Sequence, residues 1–185
     1  MSPDQAGSEY VREIFYRANF IRDLDIRLEK VSEGICETSL VVQERLLQQH
    51  GFIHGGVIAT MADHTAGGAA RSVSGEKDVL TVEFKINYLR PAVGDRLRCT
   101  ASVLRVGKTV IVAEALVYAD NAGKETLVAK LTETLFLADD PKARAGDAQW
   151  DSLHTRTRAK GKALGVTSET DVERLSDEYR RDKKR

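Results

Sequence analysis

The stretch from Gly55 to Val73 constrains this chain more than any other. It contains no Pro, is rich in Ala and carries four glycines, Gly55, Gly56, Gly67 and Gly68. That composition suits a helix, yet Gly67 and Gly68 each lower its intrinsic propensity by roughly 1 kcal/mol relative to Ala. Such a helix persists only when tertiary packing buries it. Small residues over most of its surface let strands come close, so a long central helix wrapped by a sheet is expected. His50-Gly51-Phe52-Ile53-His54 leads into it, and a single carboxylate, Asp63, stands inside it. Burying that group without a partner costs several kcal/mol, which makes chemistry a better reason for it than packing.

The flanking segments supply the sheet. Val11, Ile14, Phe15 and Ala18 fall at helical spacing within Ser8 to Ala18, predicting a short amphipathic helix. Ile26 and Leu28 alternate with charged neighbours as in a half-buried strand, and Gly34 turns the chain into a second strand over Ile35 to Val42. After Ser74-Gly75 come strand-like runs over Val79 to Leu89, Arg96 to Val106 and Thr109 to Tyr118. A last one, Thr126 to Leu137, follows the polar turn Asp120-Asn121-Ala122-Gly123, and Gly107-Lys108 signals a tight hairpin. The order predicts an α+β class with an antiparallel sheet. The domain spans residues 1–138, and 139–185 reads as a charged C-terminal arm. There Thr170-x-x-Glu173 has the form of a capping box, and Val172, Leu175 and Tyr179 fall on one helical face, predicting a short helix.

Composition narrows the function classes. Lys plus Arg number 28 and Asp plus Glu number 28, so the basic excess of a general nucleic-acid binder is missing. Cys36 and Cys99 lack metal-site or disulfide-framework spacing and read as small strand hydrophobes. No metal or cofactor is expected, and Gly55-Gly56 is not followed by the Lys-Ser/Thr of a phosphate loop. Neither a secretory signal nor an apolar run of about 20 residues is seen, so no membrane association and a cytoplasmic location are expected.

Gln48, Gly51, His54, Gly55 and Gly56, followed by Asp63, form an Asn/Gln-x-x-Gly-x-x-His-Gly-Gly pattern with an acid inside the helix. From about Phe15 to Leu137 the chain resembles the hotdog-fold acyl-CoA thioesterases of the phenylacetate-pathway (PaaI-like) type. The run Thr81-Val82-Glu83-Phe84-Lys85-Ile86-Asn87-Tyr88-Leu89-Arg90-Pro91-Ala92 is similar to the strand that follows the helix in that family. The resemblance implies a hotdog fold and hydrolysis of an acyl-CoA to a free acid and CoA.

Within that reading, the Gly55 N–H polarises the thioester oxygen at a helix N-terminus, where free amides and the helix dipole favour negative charge. Gly56 keeps the approach open. Asp63 either attacks the carbonyl or activates water, and both routes stay open. Gln48 holds the water or the thioester, His54 either bonds the carbonyl or fixes the turn, and Thr81 orients the carboxylate or the water. Arg90 and Lys108 are candidates for the CoA phosphates. Eight residues separate Gly55 from Asp63, about 12 Å along a helix axis. One subunit therefore cannot place both on one carbonyl. Two antiparallel helices can, so a homodimer or a homotetramer (a dimer of dimers) is expected.

Two other classes compete. One is a hydratase or dehydratase of the same fold acting on acyl thioesters, although no His-Phe-Pro element is present. The other is a non-catalytic acyl-CoA-binding scaffold that uses the charged arm.

Overall fold

The computed structural model describes residues 3–139. Helix α1 (Pro3–Phe15) and the short α2 (Asn19–Asp23) precede strands β1 (Arg27–Ser32) and β2 (Ile35–Val41). A 3-10 turn (Glu44–Leu46) leads to α3 (Gly55–Arg71), followed by β3 (Asp78–Tyr88), β4 (Arg96–Val106), β5 (Val110–Asn121) and β6 (Lys124–Ala138). Of the arm expected over 139–185, residues 140–185, the terminal helix included, lie outside the described residues.

All six strands join one sheet in the order β1-β2-β4-β5-β6-β3, and each neighbouring pair is antiparallel. Helix α3 packs against all six, so the expected α+β arrangement is present. Its contact side is apolar and small: Met61, Ala62, Ala66, Ala69 and Ala70 are buried. On β5 the buried alternation Ile111, Ala113, Ala115, Val117, Ala119 lies beneath it. Close approach explains Gly68, where a methyl group would stand 2.9 Å from Cys36 Sγ. Gly67 faces the other way, with nothing within 4 Å of an added methyl. Thr65 and Thr38 satisfy one another at 2.7 Å in the core between helix and sheet.

Two local features differ from the sequence expectation. The first helix ends at Phe15, and α2 forms a separate turn with Ile21 buried. The turn after β5 is shorter than its polar composition suggests. Ala122 and Gly123 both take positive φ, 53° and 84°, the two-residue geometry that matches strand twist, so the strands run on to Asn121 and from Lys124. The Gly107 hairpin is as expected, with the Gly107 N–H donating to Val110 O at 2.8 Å.

Strand β3 is an edge strand, and Leu80, Val82, Phe84 and Tyr88 are all exposed on it. It carries a bulge between Thr81 and Glu83. Thr81 pairs opposite Leu135 and Phe84 opposite Glu133, residues in the buried phase of β6. In a regularly pleated strand, positions 81 and 84, three apart, would point to opposite faces. The bulge turns both toward the helix side.

Candidate active site

The loop before α3 is a small closed unit. Leu47 and Ile53 bridge, Gln48 N–H donates to Phe52 O at 2.8 Å, and Gly51 N–H returns to Gln48 O at 2.9 Å. Gly51 takes φ +77°, which suits a glycine. His54 then caps the helix. Its backbone is extended, and its Nδ1 accepts the Gly56 N–H at 2.9 Å, so the ring proton rides on Nε2. A methyl group at Gly56 would stand 3.0 Å from that Nδ1, so glycine there makes room for the cap. The Gly56 amide is thereby committed to His54. The Gly55 N–H donates to no group among the described residues. The Tyr88 hydroxyl donates to the Gly55 carbonyl at 2.8 Å, and its ring would lie 3.3 Å from a methyl at Gly55.

Two turns along α3, the Asp63 side chain is half-buried rather than enclosed. The Thr81 hydroxyl lies 2.9 Å from Asp63 Oδ1 and 2.7 Å from Glu133 Oε1. Glu133 is 1% exposed, sits in the apolar phase of β6, and its Oε2 has no partner. Burial, aided by the neighbouring Asp63 charge, pushes its carboxyl up to about 8. His64 turns away: Nε2 meets Phe15 O at 3.1 Å, and burial lowers its pKa, so it is neutral packing against the Phe15 ring. No dyad with Asp63 forms.

The site residues fall into two groups within one chain. Gln48, His54, Gly55 and Tyr88 gather at the helix N-terminus, while Asp63, Thr81 and Glu133 meet further along it. Arg90 belongs to the first end, with its guanidinium on Leu127 O at 3.2 Å. Lys108 sits in the β4–β5 hairpin at the other end. Seven positions of β6, from Ala129 beside Tyr88 to Phe136 beside Val110, span about 23 Å. One chain therefore does not bring Arg90 and Lys108 to the same phosphates. Among the described residues no group of three or more His, Cys, Asp or Glu is placed to hold a metal. No described helix is long and apolar enough to cross a membrane.

Comparison with known proteins agrees with this architecture. The family model described as the thioesterase superfamily matches residues 50–126. A putative esterase of Saccharolobus solfataricus is 35% identical over 115 residues, 62% of this chain and 81% of the relative. A solved thioesterase family protein from Silicibacter pomeroyi is 40% identical with a TM-score of 0.68, covering 69% of this chain and 95% of that one. The chain belongs to the thioesterase superfamily. A medium/long-chain acyl-CoA thioesterase of Salmonella typhimurium is also similar, 31% identical over 120 residues, 56% of this chain and 77% of its own.

As a thioesterase-superfamily member the protein has the hotdog fold, with α3 as the filling and the sheet around it. Two residues of the site escaped the sequence reading. Glu133 shares the alternation phase of Leu131 and Leu135, and an acid in that phase was the available signal. Tyr88 stood in the strand that the family resemblance covers, yet only the fold shows it against Gly55.

Proposed function

We propose that this protein hydrolyses acyl-CoA thioesters as a homodimer, each site combining Asp63 of one subunit with the Gly55 amide of the other. The observation that carries this reading is the pairing of a free Gly55 N–H at the helix start with a Thr81-held carboxylate two turns on. The hydrolase class follows from the family, and the acyl-CoA substrate is supported by the Salmonella relative's description.

Two features support antiparallel helices side by side. The open side of α3 presents Gly56, Ala59, Thr60, Asp63 and Gly67, small residues that permit close helix contact. Beside it, the β3 edge exposes Leu80, Val82, Phe84 and Tyr88, an apolar unpaired edge of the kind that natural proteins cover. A two-fold axis through this face makes two identical sites. A dimer of dimers keeps them.

In the general-base route, Asp63 takes a proton from water as the oxygen bonds to the thioester carbon. The Gly55 N–H bears the developing oxyanion. The C–S bond then breaks, and the proton returns from Asp63 to the CoA sulfur. In the nucleophilic route Asp63 itself bonds to the carbon, CoA leaves as its thiolate, and water hydrolyses the resulting anhydride, which frees the acid and Asp63 and supplies the proton that makes CoA a thiol. Gln48 lies on the loop that leads to the amide, placed to hold water or carbonyl. The free, buried thiols Cys36 and Cys99 fit a reducing, cytoplasmic setting.

The test is thiol release from a panel of aliphatic and aryl acyl-CoAs by the wild type and by Asp63→Asn, whose amide oxygen still accepts from Thr81. Turnover in the wild type and a loss of at least about 10²-fold in the variant, with an unchanged circular dichroism spectrum, are expected. Binding of every acyl-CoA without thiol release, or hydration of crotonyl-CoA in its place, overturns the proposal.

A further inference from the structure

A single hydroxyl proton stands between two carboxyl groups. Thr81 Oγ1 is 2.9 Å from Asp63 Oδ1 and 2.7 Å from Glu133 Oε1, and it has one proton to give. Two ionised acids at those distances would leave one facing an oxygen lone pair. The arrangement therefore closes only if one acid carries a proton and donates it to Thr81. The surroundings choose which. Asp63 is half-buried on the open side of α3, while Glu133 is sealed in the row Ala129, Leu131, Leu135, Leu137 with an unpartnered Oε2. An unpaired neutral carbonyl oxygen costs far less there than an unpaired charge.

We propose that Glu133 is a positioning residue: as a neutral acid it donates to Thr81, which aims the only Thr81 proton at Asp63 and holds that carboxylate for reaction. The chain of donors runs Glu133 to Thr81 to Asp63. Facing Glu133 are Asp63 from α3, Thr81 and Phe84 from β3, and Ala113 from β5, so Asp63 is the one charged group among these described neighbours. Burial above all, against the opposing pull of the Thr81 hydrogen bond and with the Asp63 charge adding to it, raises the Glu133 carboxyl to about 8. Above that, two negative groups compete for the Thr81 hydroxyl, and Asp63 loses its fixed partner. The proposal rests on the thioesterase reading of Asp63, but its ground state can be checked without any substrate.

Three measurements test it. Glu133→Leu continues the apolar row and removes the donor. It is expected to be at least as stable as wild type while kcat falls about 10–10²-fold and KM changes less than about threefold. Glu133→Gln restores a neutral donor and is expected to recover most of kcat, without the loss of activity expected of wild type above about pH 8. The third readout is thermal stability. A folded-state proton affinity above the unfolded one makes wild-type stability decline between the ordinary carboxylate range and about pH 8, whereas Gln does not titrate. The melting temperature of Glu133→Gln minus that of wild type should therefore widen from about pH 5 to about pH 8 and then level off. Full turnover in Glu133→Leu, an alkaline loss retained in Glu133→Gln, or a constant melting difference overturns the proposal. Absence of thiol release from the wild type would instead overturn the thioesterase reading, while the melting series still reports whether Glu133 holds its proton.

Discussion

The Gly56 N–H donates to His54 Nδ1 at 2.9 Å, and this bond separates the jobs of two adjacent glycines. Gly56 is occupied in closing the helix start, while the Gly55 amide has no acceptor among the described residues. His54 thus acts on the fold first. His54→Ala should cost about 1 kcal/mol, the usual worth of an N-cap, seen as a melting temperature lower by about 2–4 °C. His54→Asn, a good capping residue, should recover that loss. An Asn variant as unstable as Ala would mean that the imidazole does something other than cap.

Gly67 reports on the proposed dimer. Nothing lies within 4 Å of a methyl placed there in its own chain, so a large side chain is sterically free in the monomer. It lies one turn beyond Asp63, on the face proposed to meet a second helix. Gly67→Trp should therefore leave the fold intact but shift the sedimentation mass to a monomer, with thiol release reduced at least about 10²-fold because Gly55 and Asp63 no longer share a site. A Trp variant that stays dimeric and active would place the interface elsewhere.

The helix signals were legible because local chemistry creates them. His54-Gly55-Gly56 marks a capped start with an open amide, and Asp63 is conspicuous among alanines. Strand partners were harder, since they depend on register. Thr81 and Phe84 share a face only through the bulge at Val82, which alternation along β3 hides. Glu133 reads in sequence as one acid in Lys130-Leu131-Thr132-Glu133-Thr134, and its meeting with Thr81 requires the pairing of β3 with β6. Arg90 and Lys108 both follow strand ends, yet the antiparallel order carries those ends to opposite sides of the sheet.

Thr81 is held in place by backbone geometry, so its hydroxyl can be varied alone. Thr81→Ser keeps the donor and should stay within a few-fold of wild-type kcat. Thr81→Val keeps the shape and loses the proton between the two acids. It should lower kcat by about 10–10²-fold and also lower the melting temperature, because the buried Glu133 Oε1 loses its partner while Oε2 already has none. Steady-state kinetics of the two variants decide this. Equal rates in Ser and Val would remove the hydroxyl from the mechanism.

The two cysteines bear on the assay itself. Burial pushes the Cys36 and Cys99 thiols up to about 12, with the neighbouring Cys99 and Glu37 adding to the effect on Cys36. Neither should react with an aromatic disulfide reagent at about pH 8 in the folded protein, where ordinary thiols are partly ionised. Both should react after denaturation. The thiol counted during turnover is then that of CoA, and rapid labelling of the native protein would contradict the burial of both side chains.

Gly94 gives the severest test of the sheet. It takes φ +158°, and a methyl group there would fall 2.1 Å from the Asp120 carbonyl oxygen. That same oxygen accepts the Asp95 N–H at 3.0 Å, and Asp95 O accepts Val42 N–H at 2.8 Å, so this corner ties the end of β2 and the start of β4 to β5. A side chain at 94 cannot be relieved by moving a flexible group, because the obstacle is backbone. Gly94→Ala should therefore destabilise the fold by at least about 2 kcal/mol, read as a lower urea midpoint with an unchanged slope. A midpoint equal to wild type would mean that the β4–β5 corner is packed differently from the structure described.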